Sequence, residues 1–264
     1  MRKPESILAS VIVVSASLLA HAAHAHSIDE VLASKTLTVV TTASSPPHGF
    51  MDPASNTLKG IMVDLAQGIG KQMGVTVKLI DVPFDGLIPT LTSGRADLMS
   101  APLFVTDERS KVVDFTTPVY GWGEGVVVSD KQPKHFGRLD DFKGEKVGTL
   151  VDSVQYKMIK DLPGTQVSTY PDYFSLLADI RAGRVDLGVV DPPSVLYQIK
   201  LKSIPGVKLD DAYHPQKSWF VAGAVQKNNQ PLLDAINHAI ATMKQDGELR
   251  AILTKWGVAN LEAK

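Results

Sequence analysis

The sequence predicts an α/β protein built as two similar lobes, and three observations carry that reading. Short β-rich runs alternate with helical patterns from Leu37 onward. Strand, helix and strand in units of this length imply mostly parallel sheets covered by helices. Leu87, Leu91, Gly94, Arg95, Asp97 and Leu98 recur as Leu176, Ile180, Gly183, Arg184, Asp186 and Leu187, each 89 residues further on. The chain then ends in two amphipathic helices that need a sheet to cover.

Composition bounds the classes. A chain of 264 residues makes one large domain or two small ones, and 44 % hydrophobic with 21 % charged residues excludes disorder. Gly 20 and Pro 16 follow no period, which excludes collagen-like and low-complexity chains. The absence of cysteine removes disulfide frameworks, thiolate metal sites, cysteine nucleophiles and thioester lipid anchors. A net charge of −1 from 27 basic and 28 acidic residues, interspersed, lacks the basic footprint of a nucleic-acid partner.

At the start, Arg2 and Lys3 precede an apolar run from Ile7 to Ala20, and Ala23-His24-Ala25 offers small residues where a signal peptidase reads. Residues 1–25 are thus expected to be a signal peptide for export, cleaved near Ala25. No other stretch approaches the length of a membrane span. His21, His24 and His26 read as processing-site residues rather than a metal tail, and no metal or cofactor is expected.

Leu37 to Thr42 reads as a strand. Ile61, Leu65, Ile69 and Met73 recur every four residues, one face of a helix that Gly74 terminates before a strand from Val75 to Ile80. In each copy of the repeat, a helix closes on Gly and a short strand begins after Asp. Lys146 to Leu150 is a strand of the second lobe, and Phe220 to Val225 follows the Pro/Gly/Lys-rich stretch 200–217 as another. The closing helices present Leu232, Ile236, Ala239, Ile240 and Met243, then Leu249, Ile252, Leu253 and Trp256. They fit best on the first lobe, which is placed at 28–121 plus 220–264, with the second lobe at 122–219. Two crossings make a hinge.

Open α/β sheets hold ligands at the carboxyl ends of their strands, beside helix N-termini. In the first lobe the strand Asp97–Ser100 leads to Thr106, a candidate N-cap, and to Arg109. Its guanidinium either offers a fork to a carboxylate or pairs with Asp107, Glu108 or Asp114. In the second lobe Asp191 follows Leu187-Gly188-Val189-Val190 and precedes two prolines. It can face a ligand ammonium, cap the next helix, or do both on its two oxygens. Ser153 either caps a helix or donates to a ligand. Ser45 and His48, in a turn-rich segment, and Phe84, before a helix, are further wall candidates. No GxSxG, HExxH, P-loop or strand-linked GxGxxG is present.

Several segments resemble, in order and spacing, the periplasmic solute-binding proteins that feed polar amino acids to ABC importers, the histidine-binding and lysine/arginine/ornithine-binding protein family. They are Pro46-Pro47, Gly60-Ile61-Met62-Val63-Asp64-Leu65-Ala66, Phe84-Asp85-Gly86-Leu87-Ile88-Pro89-Thr90-Leu91, Gly94-Arg95-Ala96-Asp97, Thr106-Asp107-Glu108-Arg109 and Val113-Asp114-Phe115-Thr116-Thr117-Pro118. The resemblance implies a two-lobed periplasmic-binding-protein fold, each lobe a mostly parallel sheet flanked by helices, joined by a two-stranded hinge. It implies a receptor that captures an amino acid or related small zwitterion or carboxylate by hinge closure. The receptor hands its ligand to an inner-membrane ABC permease, without a cofactor and as a monomer. On that pattern Arg109 binds the ligand carboxylate, Asp191 its ammonium, Phe84 flanks it, and Ser153 lies in the second-lobe Gly-Ser/Thr-Thr segment.

The chain departs from the pattern at Phe104, where a Ser or Thr is usual, and at Ala101 and Pro102. Further departures are Asp152-Ser153-Val154, His48 beside the two prolines, and Thr42 in place of an acid. Missing hydrogen bonds, each worth about 0.5–1.5 kcal/mol net, and a Phe104 ring expected to fill ligand volume predict a smaller or less polar ligand than lysine, arginine or histidine. Two other functions fit the same scaffold. One is a cleft enzyme like the cyclohexadienyl dehydratases, with Asp152 or Glu124 as the acid; the other is a sensor or accessory metabolite-binding protein.

Overall fold

The computed structural model describes residues 25–201 and 204–263. All of the expected signal peptide except Ala25 lies outside the described residues. In chain order the first part runs α1 (Ile28–Ser34), β1 (Thr36–Thr41), β2 (Ser44–Ser45), β3 (Gly49–Asp52), β4 (Thr57–Lys59), α2 (Ile61–Met73), β5 (Thr76–Asp81), α3 (Leu87–Thr92), β6 (Leu98–Met99), α4 (Asp107–Ser110) and β7 (Val113–Phe115). After β8 (Tyr120–Gly123) come β9 (Gly125–Ser129), β10 (Lys146–Leu150), α5 (Val154–Ile159), β11 (Gln166–Tyr170), α6 (Tyr173–Arg181), β12 (Leu187–Val190), α7 (Pro192–Lys200) and β13 (Val207–Leu209). The chain returns through β14 (Ser218–Val221), β15 (Ala224–Gln226), α8 (Gln230–Gln245) and α9 (Glu248–Lys255).

Two five-stranded sheets result, ordered β5-β1-β6-β15-β7 and β11-β10-β12-β9-β13. In the first, β1 pairs parallel with β5 and β6, while β15 runs antiparallel between β6 and β7. In the second, β10 pairs parallel with β11 and β12, and β9 is the reversed strand. The expected mostly parallel sheets are therefore mixed, each with one reversed strand. In both cases that strand is the one adjoining a crossing between the sheets. Each sheet buries both faces: Leu65, Ile69, Ile236 and Leu253 lie on one side of the first and Leu87, Leu91 and Leu103 on the other, with paired clusters around Leu176 and Phe142 in the second.

The 89-residue repeat has a common physical basis. Asp97 Oδ2 accepts the Thr38 backbone N–H, and Asp186 Oδ2 accepts that of Lys146, each at 2.8 Å. The same Asp donates its own N–H to the carbonyl it faces, Thr38 in one copy and Lys146 in the other. The preceding Gly94 and Gly183 take φ of +73° and +70°, where a Cβ is strained. The motif thus fastens a helix exit to the start of the neighbouring central strand in both lobes.

One element differs from expectation. Phe220 to Val225 is not a single strand: β14 ends at Val221 and β15 begins at Ala224. β14 pairs antiparallel with β8 in a separate two-stranded ladder, whereas β15 enters the first sheet. The break serves the passage from one to the other. The expected lobe boundaries fall inside β8 and β14. No helix of the described residues is long and apolar enough to cross a membrane.

Candidate functional site

Loops at the carboxyl ends of the parallel strands enclose a cavity of about 580 Å³. Thr42 to Ser45 follow β1, Phe84 and Asp85 follow β5, Pro102 and Phe104 follow β6, and Arg109 projects from α4. Facing them, Leu150 ends β10 and Val151 to Gln155 follow it, Pro171 to Tyr173 follow β11, and Asp191 follows β12. This is the crevice that α/β sheets offer to ligands.

Thr106 caps α4, its Oγ1 accepting the Arg109 backbone N–H at 3.3 Å, and so sets the first turn from which Arg109 reaches the cavity. Arg109 Nη1 donates to the Phe104 carbonyl at 3.0 Å, and among the described residues no carboxylate lies within ion-pair distance of it, Glu108 pairing with Lys157 instead. Burial lowers the guanidinium pKa, while the charges of Glu108 and Asp191 raise it. Arg109 lines the cavity, and among the described residues the bond to the Phe104 carbonyl is the one side-chain hydrogen bond it makes, so its fork can serve a ligand carboxylate.

Asp191 occupies the N-cap position of α7, yet its side chain does not cap. Oδ1 instead accepts Trp122 Nε1–H at 2.9 Å and Gln155 Nε2–H at 2.6 Å. The Asp191 backbone N–H donates to the Tyr173 hydroxyl at 2.9 Å. Burial pushes the carboxyl above its ordinary value, against hydrogen bonds from Trp122, Tyr173 and Gln155 and the positive charge of Arg109. A half-buried carboxylate on a cavity wall, its Oδ1 taken by Trp122 and Gln155, suits a ligand ammonium at Oδ2.

Arg109, Asp191, Phe84, Phe104, Ser153, Ser45 and Pro102 all line the cavity. His48 does not, which corrects the expectation that it contacts the ligand. It is fully buried, with Nδ1 2.7 Å from the Tyr120 hydroxyl and its ring stacked on Trp122 at 4.8 Å. Burial drives its pKa down to about 3, so it is a neutral core residue at the foot of the hinge. Ser153 lines the cleft while its hydroxyl is committed, accepting Tyr156 N–H at 3.0 Å and donating to the Leu150 carbonyl at 2.7 Å.

Two features run against the expectation of a smaller or less polar ligand. The Phe104 ring stacks on Trp219 at 5.4 Å and meets the Trp122 ring edge-on at 4.9 Å, so it floors the cavity rather than filling it. The lining also holds Asp81, Asp85, Asp152, Asp172 and Asp191 against Arg109 as the single basic residue. Sequence reasoning missed Gln155, Tyr173, Asp81 and Asp172, although all four sit just after, or at the end of, parallel strands. Trp122 gave no local signal, because its partner is 69 residues away. Glu124, an expected acid for a cleft enzyme, lies outside the cavity. It is buried and accepts from the Tyr213 hydroxyl and from the backbone N–H groups of Gln216 and Lys217.

Similar proteins share this architecture. The L-cystine-binding protein TcyJ of Escherichia coli K12 is 33 % identical over 222 residues, 84 % of this chain and 82 % of the relative. An ancestral arginine-binding protein solved with arginine bound is 36 % identical, with a TM-score of 0.77 over 84 % of this chain and 98 % of that one. The ancestral amino acid-binding protein AncCDT-1, a precursor of cyclohexadienyl dehydratase, is 28 % identical, with a TM-score of 0.79 over 87 % of this chain and 98 % of that one. The family model of the bacterial extracellular solute-binding proteins, family 3, matches residues 37–259, which span both sheets, the hinge ladder and every wall of the cleft, and the chain belongs to that family.

Proposed function

We propose that the protein is the periplasmic receptor of an ABC importer, binding an α-amino acid, preferentially one with a cationic side chain, between its lobes as a monomer. The observation that carries this is the opposition of Arg109 and Asp191 across one cavity: a guanidinium for the ligand carboxylate and a carboxylate for its ammonium, on different lobes. A zwitterion touching both holds the lobes together, and its differential affinity for the closed form drives closure. The lobes, bounded at 121/122 and 219/220, move about the β8–β14 ladder. At the rim they meet through the Glu108–Lys157 ion pair and the Phe50–Tyr197 rings, 5.7 Å apart. The arginine and cystine named for relatives support an amino acid, and the surplus of cleft aspartates supports a cationic one.

No bond is made or broken in this mechanism. The commitment of Glu124 to the hinge removes one of the two acids on which an enzymatic reading rested. A thermal-shift panel of amino acids, on protein unfolded and refolded to strip bound ligand, is the test. Ligand at about 100 times Kd adds about 2.7 kcal/mol of apparent stability. Arg109→Ala is expected to abolish the shift. A shift that persists in Arg109→Ala rejects its role, and turnover of prephenate or arogenate rejects the receptor.

A further inference from the structure

We propose that Trp122, a hinge residue outside the cavity lining, is a positioning residue for the ligand: together with Gln155 it occupies Oδ1 of Asp191 and thereby presents Oδ2 alone to the ligand ammonium. The proposal rests on the amino-acid reading above. Both donors are fixed from behind. Trp122 lies on β8 with its indole between the His48 ring at 4.8 Å and the edge of Phe104 at 4.9 Å, and Gln155 is buried at the start of α5. Their N–H groups converge on the same oxygen at 2.9 and 2.6 Å. Among the described residues no direct hydrogen bond to Oδ2 is found, and the Tyr173 hydroxyl, which accepts the Asp191 backbone N–H, adds support to the carboxylate as a whole.

An unsupported carboxylate could rotate to offer either oxygen, or cap α7 as the residue type and the following prolines favour. The two donors select one rotamer and stabilise the ionised form, which an ammonium requires. Because β8 is a strand of the hinge ladder, the indole also ties the ligand anchor of the second lobe to the element about which the lobes move. The direction of Oδ2 is therefore coupled to closure. A hydrogen-bonding Trp in a hinge is a specific device here, since a strand position facing aromatic rings needs only an apolar side chain.

The groups facing Asp191 are Arg109 from α4, Tyr120 and Trp122 from β8, Gln155 from α5 and Tyr173 from α6. The sequence holds three tryptophans, so the indole N–H signals in a 1H–15N NMR spectrum can be assigned with Trp219→Phe and Trp256→Phe even if Trp122→Phe does not fold. In the ligand-free protein the Trp122 indole signal is expected to move with pH in the wild type and to stay flat in Asp191→Asn. A wild-type signal that does not titrate, or one that titrates equally in Asp191→Asn, overturns the proposal. With ligand, Trp122→Phe is expected to weaken L-arginine about tenfold or more and to change 5-guanidinopentanoate, which lacks the α-amine, by less than about twofold. Equal loss for both makes Trp122 merely part of the hinge packing and overturns it. Failure of L-arginine to bind the wild type counts against the amino-acid reading, while the titration still decides for or against the role of Trp122.

Discussion

His48 marks the limit of reading a residue by its neighbours in sequence. Next to two prolines in a segment that reaches the cleft, a ring with two nitrogens looks like a ligand contact, yet the fold turns it inward onto Tyr120 and Trp122. Its burial has a measurable consequence. The unfolded chain protonates His48 near pH 6.5, while the folded one resists until about pH 3. Between those values only the unfolded state takes up the proton, so stability is lost as pH falls through the window, at a limit of about 1.4 kcal/mol per pH unit. His48→Phe keeps a ring against Trp122, gives up one hydrogen bond worth about 1 kcal/mol at pH 7, and removes the titration. Urea unfolding at intervals from pH 7 to pH 3.5 should show the variant gaining on the wild type below pH 6.5. Parallel pH profiles would reject the assignment. Arg109 and Asp191 were legible for the opposite reason: a strand end followed by a helix start fixes where a side chain emerges without reference to distant residues. The direction in which the Asp191 carboxylate turns was not, because Trp122 and Gln155 decide it from other elements.

At the scale of elements, the repeat, the helix Ile61–Met73 and the strand Lys146–Leu150 were all visible, the first two from local periodicity closed by a glycine and the strand from its short β-rich run. The hinge was visible only as two crossings. Its form depends on β8 meeting β14 across nearly a hundred residues, and on the interruption of an apolar run at Ala222 and Gly223 that no turn residue other than Gly223 announces. The ladder is packed closely enough to demand glycine. A Cβ on Gly121 would stand 2.4 Å from the Trp219 carbonyl oxygen and 2.8 Å from Phe220 Cδ1, both on β14. Gly121→Ala must therefore spread the two strands, at a cost of about 1–3 kcal/mol, or a Tm lowered by about 2–4 °C for each kcal/mol. Gly137→Ala is the control: its nearest contact would be 3.6 Å, an ordinary van der Waals distance. Differential scanning fluorimetry that finds the two variants equally stable would remove the close approach at Gly121 as a constraint on the hinge.

For the whole molecule, the distribution of charge matters more than its sum. The chain carries a formal −1, so five aspartates to one arginine in a single cleft is a local arrangement that composition does not impose. Asp81 and Asp85 follow a strand of the first sheet, Asp152 and Asp172 strands of the second, so the proposed closure would bring the two pairs toward each other. Like charges about 4 Å apart repel by about 1 kcal/mol even in water and by more where the closing lobes exclude it. A zwitterion adds no net charge to relieve this, whereas a ligand with a cationic side chain does, and the relief exists only in the closed form. Selectivity for a cation then follows from the same motion that traps the ligand. L-arginine and L-citrulline have nearly the same shape and differ in that charge, so the comparison isolates it. L-arginine is expected to bind at least about tenfold tighter at low ionic strength. The gap should narrow between 0.02 and 0.5 M NaCl, as the screening length falls from tens of ångströms to a few. It should also narrow in Asp152→Asn, which keeps a residue tolerant of the left-handed φ of +56° at that position, and in Asp172→Asn, which keeps the cap on α6. Titration calorimetry that gives equal affinities, or a gap indifferent to salt and to both substitutions, would leave the aspartates as solvated rim groups and return the choice of ligand to the shape of the cavity.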